Sequence, residues 1–179
     1  METTKWALDP NHSEIQFKVK HLLISTVTGA FKKFSASVET EGDNLATAKV
    51  QFEADMSSIW TNNDMRDTHL AAADFFDVST HPEMTFTSDK LEKVDADNYK
   101  AHGVATLRGI SKPITLQVAF GGLIEKDPWG GSRMGFSVSG VINRKDFGIA
   151  PDTNAAGLGE NVIISAEVQF VKQAALELA

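Results

Sequence analysis

The stretch VIISAEVQF, Val162 to Phe170, decides how this chain folds. Its even positions, Val162, Ile164, Ala166, Val168 and Phe170, are all apolar, and Ser165, Glu167 and Gln169 stand between them. A two-residue period is that of a β-strand with one face buried. The same period recurs outward from here. Phe136, Val138, Gly140 and Ile142 form a second such face, and Ile114, Leu116, Val118 and Phe120 a third. Val50, Phe52, Ala54 and Met56 form a fourth, and Ile15, Phe17 and Val19 open the series. Tyr99 to Leu107 is a weaker case, with Ala101, Gly103 and Ala105 on the expected inner side.

Turn chemistry separates these runs: Glu41-Gly42-Asp43-Asn44, Asp95-Ala96-Asp97-Asn98, and Asp127-Pro128-Trp129-Gly130-Gly131. Short polar turns between strands imply antiparallel pairing rather than helical crossovers. About eight strands, each apolar on one face, need a second sheet or closure on themselves. Closure also removes exposed edges, which favours a barrel over a sandwich. The expected fold is therefore mainly β, an antiparallel eight-stranded barrel.

One segment breaks the period: IWTNNDMRDTHLAAADFFDVSTHPEMTFTS, Ile59 to Ser88. Asn62 or Asn63 can cap a helix, with Asp64 and Asp67 in its first turn, where the helix dipole favours carboxylates. Met65 and Leu70 fall near one face, and Pro82 ends the segment before Met84-Thr85-Phe86. The reading is a helical segment at about residues 62–77. Gln173 to Ala179 read as a short helix or a frayed tail.

At 179 residues and 42% hydrophobic content the chain suits one domain with a real core. A net charge of −7 and a pI near 5.2 argue against nucleic acid or an anionic membrane as partners. With no cysteine there is no disulfide, thiol nucleophile or cysteine metal site. The start, METTKWALD, has no secretory pattern, and no run reaches the roughly 18 apolar residues of a membrane span. The expectation is a soluble cytoplasmic protein, or a periplasmic one if a leader has been removed.

Chemistry is harder to find. His69, His81, Asp74 and Asp77 are close in sequence, but no HxxxH or HExxH places two ligands on one helix face. No metal site is expected. There is no GxSxG elbow for a hydrolase, and GLGEN, Gly157 to Asn161, is neither a Walker A loop nor a dinucleotide fingerprint. His12 and His102 read as solvated strand positions. The remaining candidate is the barrel interior. Small residues on the inner faces, at Gly29, Ala54, Gly103, Ala105, Gly140 and Ala166, either relieve crowding or leave room for a guest. Burying hydrocarbon gains about 0.8 kcal/mol per methylene, so an elongated apolar guest suits such an interior.

Four pieces, in order, carry a resemblance. They are DPNHSEIQFKVKHLLISTVTGAF (Asp9 to Phe31), SSIWTNNDMRDTHLAAADFFDVSTHPEMTFTS (Ser57 to Ser88), GVATLRGISKPITL (Gly103 to Leu116) and GFSVSGVINRKDFGI (Gly135 to Ile149). Together they resemble the YceI-like family of lipocalin-like, polyisoprenoid-binding proteins over nearly the whole chain. The resemblance implies a lipocalin-like barrel extended by a helix. It also implies non-covalent binding of a long apolar lipid: an isoprenoid quinone, a polyprenyl chain or a fatty amide. No cofactor is implied, and a homodimer is the implied assembly.

On that basis Phe17, Val19, Phe52, Phe86, Leu116, Val118, Phe136, Val138 and Ile142 are expected to line the interior. Phe75 and Phe76 should lie near one mouth, and Phe147 and Gly148 in the loop that closes the barrel. His21, Arg66, Asp67, His69 and Asp146 are the candidate polar contacts at a headgroup, with a capping role for Arg66 and Asp67 the alternative. The expected function is non-enzymatic binding, storage or transport. Two alternatives stay open: an enzyme acting on a lipid, and a filled barrel serving as an interaction scaffold.

Overall fold

The computed structural model describes residues 2–174. Its strands are β1 (Thr3–Leu8), β2 (Glu14–His21), β3 (Ser25–Phe31), β4 (Phe34–Glu41), β5 (Asn44–Asp55) and β6 (Ile59–Trp60). After helix α1 (Asp64–Leu70) come β7 (Glu83–Ser88), β8 (Leu91–Lys93), β9 (Asn98–Leu107), β10 (Ile110–Ile124), β11 (Arg133–Asn143) and β12 (Asn161–Lys172). The path β1-β4-β5-β7-β9-β10-β11-β12 closes on itself, because β1 pairs with β4 on one edge and β12 on the other. The antiparallel eight-stranded barrel expected from the two-residue period is the fold observed. All three turn clusters fall between consecutive strands, as their composition demanded.

Two bends let the first strands serve twice. β1 runs along the far half of β12, with Leu8 opposite Phe170. A 3-10 turn at Pro10–His12, capped by Asp9, then redirects the chain, and β2 runs along the near half, with Ile15 opposite Ala166. His12 therefore sits in this turn rather than in a strand. Opposite, β3 bends into β4 at Lys32 and Lys33, whose amides are held by Ser58. Beyond the bends, β2 and β3 form a hairpin arm, and the two-residue β6 pairs only with Ala30 and Phe31.

Inner faces pack into two clusters. One gathers Trp6, Tyr99, Met134, Phe136 and Phe170, and the other Ile15, Phe31, Met56, Ile59, Phe147 and Ile149. Phe52, Ala105 and Ile114 pack against both. The inner glycines turn out to relieve crowding. A Cβ on Gly29 would lie 2.2 Å from the Phe17 ring, and one on Gly140 would lie 2.5 Å from Leu116. On Gly103 it would meet the Thr87 carbonyl at 2.2 Å and the Phe86 ring at 2.7 Å.

The helix is shorter than the expected 62–77. Asn63 caps it, accepting from the Arg66 amide at 2.9 Å, and it ends at Leu70. Beyond, the backbone folds into tight turns: Phe76 N–H donates to Leu70, Val78 N–H to Ala71, and Asp77 takes φ 47°. The reason is tertiary. Arg108 grips the Ala73 carbonyl at 2.7 Å and the Ala150 amide donates to Asp74 at 2.9 Å, so the segment follows the barrel rim instead of its own helical period. Of the expected C-terminal tail, Gln173 donates its amide to Lys5, and residues 175–179 lie outside the described residues.

Barrel closure is clasped by one cation. From β11 the Arg133 guanidinium donates to Gln169 on β12 at 2.9 Å and to Asp9, at the β1 bend, at 2.7 Å. It also reaches Asp127 at 3.1 Å and lies 4.9 Å over the Trp129 ring. Arg133, then His12, hold the Asp9 carboxyl down at about 2, from an ordinary 3.8. A depressed carboxyl contributes stability that is complete above its unfolded value and is lost as pH falls through the folded one. Equilibrium urea unfolding is therefore expected to show a loss of stability between about pH 4 and about pH 2. Asp9→Asn should cost about 2 kcal/mol at neutral pH, with the difference from wild type vanishing near the acid end. A constant difference across that range would remove the clasp from the account.

Candidate functional site

Between the two clusters the barrel encloses a cavity of about 170 Å³. Every strand of the closed ring contributes to its wall, and Thr85 and Thr106 are the only lining residues with polar side chains. Small residues make the space: Ala36, Ala48, Ala101, Ala105 and Ala166 all face it. Ala105 and Ala166 were among the inner small positions legible in the sequence, and these alanines leave room where the glycines do not.

Of the residues expected to line the interior, Phe52, Phe86, Leu116, Val118, Phe136, Val138 and Ile142 do so, as does Phe147 from the closing loop. Phe17 and Val19 do not. The Phe17 ring lies flat on Gly29 and packs 5.6 Å from Phe31, inside the plug at that end of the barrel, and Val19 sits farther out, opposite Val27. Phe75 and Phe76 are also outside the cavity wall. Phe76 meets Phe31 edge-on at 6.5 Å and Phe75 meets His69 at 4.8 Å, so both rings cover the plug from the rim.

None of the five candidate headgroup contacts lines the cavity. His21 is exposed at the end of β2, and Asp146 is exposed in the 3-10 turn Arg144–Phe147. Arg66 and Asp67 converge on buried Thr61 instead. Asp67 Oδ1 accepts from the Thr61 amide at 2.9 Å and from its hydroxyl at 2.5 Å. Arg66 Nε donates to the same hydroxyl at 2.8 Å, and Nη2 donates to the Thr61 carbonyl. These charges fasten α1 to the end of β6, which is the capping alternative. Among the described residues no three histidines or carboxylates gather where they could hold a metal ion. No helix there is long and apolar enough to cross a membrane.

Sequence reasoning missed two contributors. The first is β4 with its neighbours: Phe34, Ala36 and Val38 line the cavity, joined by Leu8 and Leu45. Alternation with Ser35 and Ser37 was the available signal, muted by small residues. The second is Arg144, 1% exposed in the 3-10 turn that follows β11. Its guanidinium donates to five carbonyls: Gly159 at 2.9 Å, Ile149 at 3.0 Å, Ala150 at 2.5 Å, Thr153 at 2.6 Å and Leu158 at 2.9 Å. Burial pushes its pKa down, opposed by Glu160. One arginine thereby ties together the turns between Ile149 and Gly159 and fixes Phe147 as the stopper.

With this geometry in hand, the comparisons are direct. The family model of the YceI-like domain matches residues 6–170. The chain belongs to the YceI-like family. YceI of Escherichia coli is 38% identical over 156 residues, spanning 87% of this chain and 81% of that protein. The solved structure of YceI from Campylobacter jejuni is 36% identical with a TM-score of 0.79, over 87% of this chain and 90% of that one. A polyisoprenoid-binding domain from Saccharophagus degradans shares the fold, at TM-score 0.70 and 18% identity, over 94% and 98% of the two chains.

Within this YceI-like barrel the Arg144 cluster holds the closing loop in place. Arg144→Met removes the cation and takes a donor from five carbonyls, of which those of Ile149 and Ala150 are buried. The expected destabilisation is about 3 kcal/mol or more. Hydrogen exchange should show the deficit concentrated in residues 148–160, and a uniform loss of protection would argue against a local clamp.

Proposed function

We propose that this barrel binds, stores or carries a long apolar lipid without chemical turnover. The observation that carries the reading is the wall: a space within the barrel faced almost wholly by carbon, with the Thr106 hydroxyl turned to Ser111 outside it. An enzyme acting on a lipid needs a base and a nucleophile in hydrogen-bond reach of one another. The lining residues offer no histidine and no carboxylate for that role. The Saccharophagus domain is described as polyisoprenoid-binding, which supports an isoprenoid chain as the guest class.

Size sharpens the proposal. An apolar cavity of about 150 Å³ stays dry and admits a benzene-sized guest. At about 170 Å³ this interior accommodates only a short hydrocarbon segment in its closed form. A longer chain requires rings such as Phe52, Phe136 or Phe147 to swing aside, or the plug to lift. The energy is available: at about 0.8 kcal/mol per methylene, a chain of several isoprene units outweighs association costs of several kcal/mol.

Native mass spectrometry with lipid extraction of the purified protein tests this. A co-purifying long-chain lipid is expected, released when the protein unfolds. Ala105→Leu, which fills part of the space, should lower the bound fraction or shorten the guest while leaving the melting temperature equal or higher. Phe136→Trp should likewise alter uptake. An interior that stays empty when the protein is purified from lipid-rich cells sinks the carrier reading.

A further inference from the structure

The hairpin arm carries a feature that the barrel does not explain. At its tip Leu22 and Leu23 occupy the two central turn positions, with φ 54° and 61°. Ile24 follows, its amide donating to His21 at 3.2 Å. The connection is three residues long, Leu22 to Ile24, and left-handed positions such as its first two ordinarily take Gly or Asn, because branched side chains are strained there. Here it holds two leucines, 53% and 66% exposed, beside an isoleucine 84% exposed. Backbone strain and unburied hydrocarbon coincide on three consecutive residues.

Charge is the second, independent observation. Along the arm from Ile15 to Phe31 there are two lysines, Lys18 and Lys20, together with His21, and no aspartate or glutamate; Glu14 opens β2 at the base, where Lys32 and Lys33 form the bend into β4. The rest of the chain then holds 15 lysines and arginines against 24 carboxylates, a net −9. The overall acidity that argued against an anionic surface therefore hides one basic arm. At about 3.3 Å per residue, Lys20 and Lys18 stand roughly 10 to 15 Å behind the tip. That is the depth of lipid headgroups when aliphatic side chains enter the acyl boundary. One row back, exposed Ile163 lies opposite Lys18 and beside exposed Val141. The carboxylates of the adjoining loop are Asp152 and Glu160, and Glu160 is paired with Lys145 at 3.0 Å. The tip is also presented rigidly, since the Leu22 amide donates to Gly157 and the Gly159 amide to Lys20.

We propose that the β2–β3 hairpin tip docks this protein on an anionic membrane surface, with Leu22, Leu23 and Ile24 in the acyl boundary and Lys18 and Lys20 on the headgroups. A second copy is the weaker occupant. A turn is convex, so two tips meet over little area, whereas a stable interface needs about 800 Å² from each partner. A fluid lipid surface has no such requirement. The inference stands independently of what fills the cavity.

Vesicle co-sedimentation tests it, with phosphatidylcholine vesicles containing phosphatidylglycerol set against phosphatidylcholine alone. Wild type should bind the anionic vesicles, and added salt should weaken that binding. Combining Leu22→Asn, Leu23→Gly and Ile24→Ser should reduce binding about tenfold or more, and Lys18→Glu with Lys20→Glu should do the same. The turn variant places preferred residues in a strained turn, so its melting temperature should hold or rise. That separates a docking role from a folding role. Absence of wild-type binding overturns the proposal, as does undiminished binding by the turn variant. A wild-type dimer that ignores vesicles and dissociates in the turn variant also overturns it, in favour of a contact between copies. Because the readout is vesicle attachment rather than bound lipid, none of these outcomes bears on the carrier reading.

Discussion

The pairing of β1 with β12 is the constraint on which the rest of the molecule depends. Three residue pairs, Trp6 with Lys172, Ala7 with Val171 and Leu8 with Phe170, turn an open sheet into a ring. Without that seam, every alternating strand would expose its apolar face along two edges. With it, those faces converge on one axis and water is excluded between them. Arg133 matters for the same reason. It joins β11, β12 and the β1 bend where backbone pairing is sparse, and its partners Asp9 and Asp127 are both held ionised. The Asp127 carboxylate is kept low first by the Gly131 amide, so the clasp rests on turn geometry as well as on charge.

A closed ring of eight strands has too little girth for a wide channel, and its diameter is fixed by strand number and stagger. What remains inside is decided by side-chain volume. Alanines at Ala101, Ala105 and Ala166 leave space, whereas aromatic and aliphatic groups stop both ends. The end beneath Phe147 is built from irregular backbone, drawn together by the donors that Arg144 supplies to its carbonyls. A side chain that is always charged is placed where a polar backbone would otherwise be stranded.

Much of this was legible in the chain, for a definite reason. Period-two patterning reports which face of a strand is buried, and Leu116, Val118, Phe136 and Val138 faced the cavity accordingly. The pattern is silent about depth along the axis. That is why Phe17 and Val19, on the correct face, lie beyond the cavity in the plug. The charged run failed differently. Arg66 and Asp67 meet on Thr61, five and six residues away, a contact made by an elbow whose shape no periodicity encodes. Arg144 was invisible because its five acceptors come from a loop that assumes its form around it. The helix was overextended because Ala71, Ala72 and Ala73 have high helical propensity, which tertiary contacts from Arg108 and Ala150 override.

Two glycines, Gly103 under the Phe86 ring and Gly140 under Leu116, carry a last consequence. Each leaves a hollow into which a lining side chain leans, so the wall's position is set from the neighbouring strand. A single methyl at Gly140 would push Leu116 toward the axis and narrow the bore, whereas one at Gly103 would first strike the Thr87 carbonyl of the neighbouring strand. Changes of bore in this barrel can therefore arise at positions no guest would ever touch. Gly140 thereby sets the bore through Leu116 without lining the cavity itself.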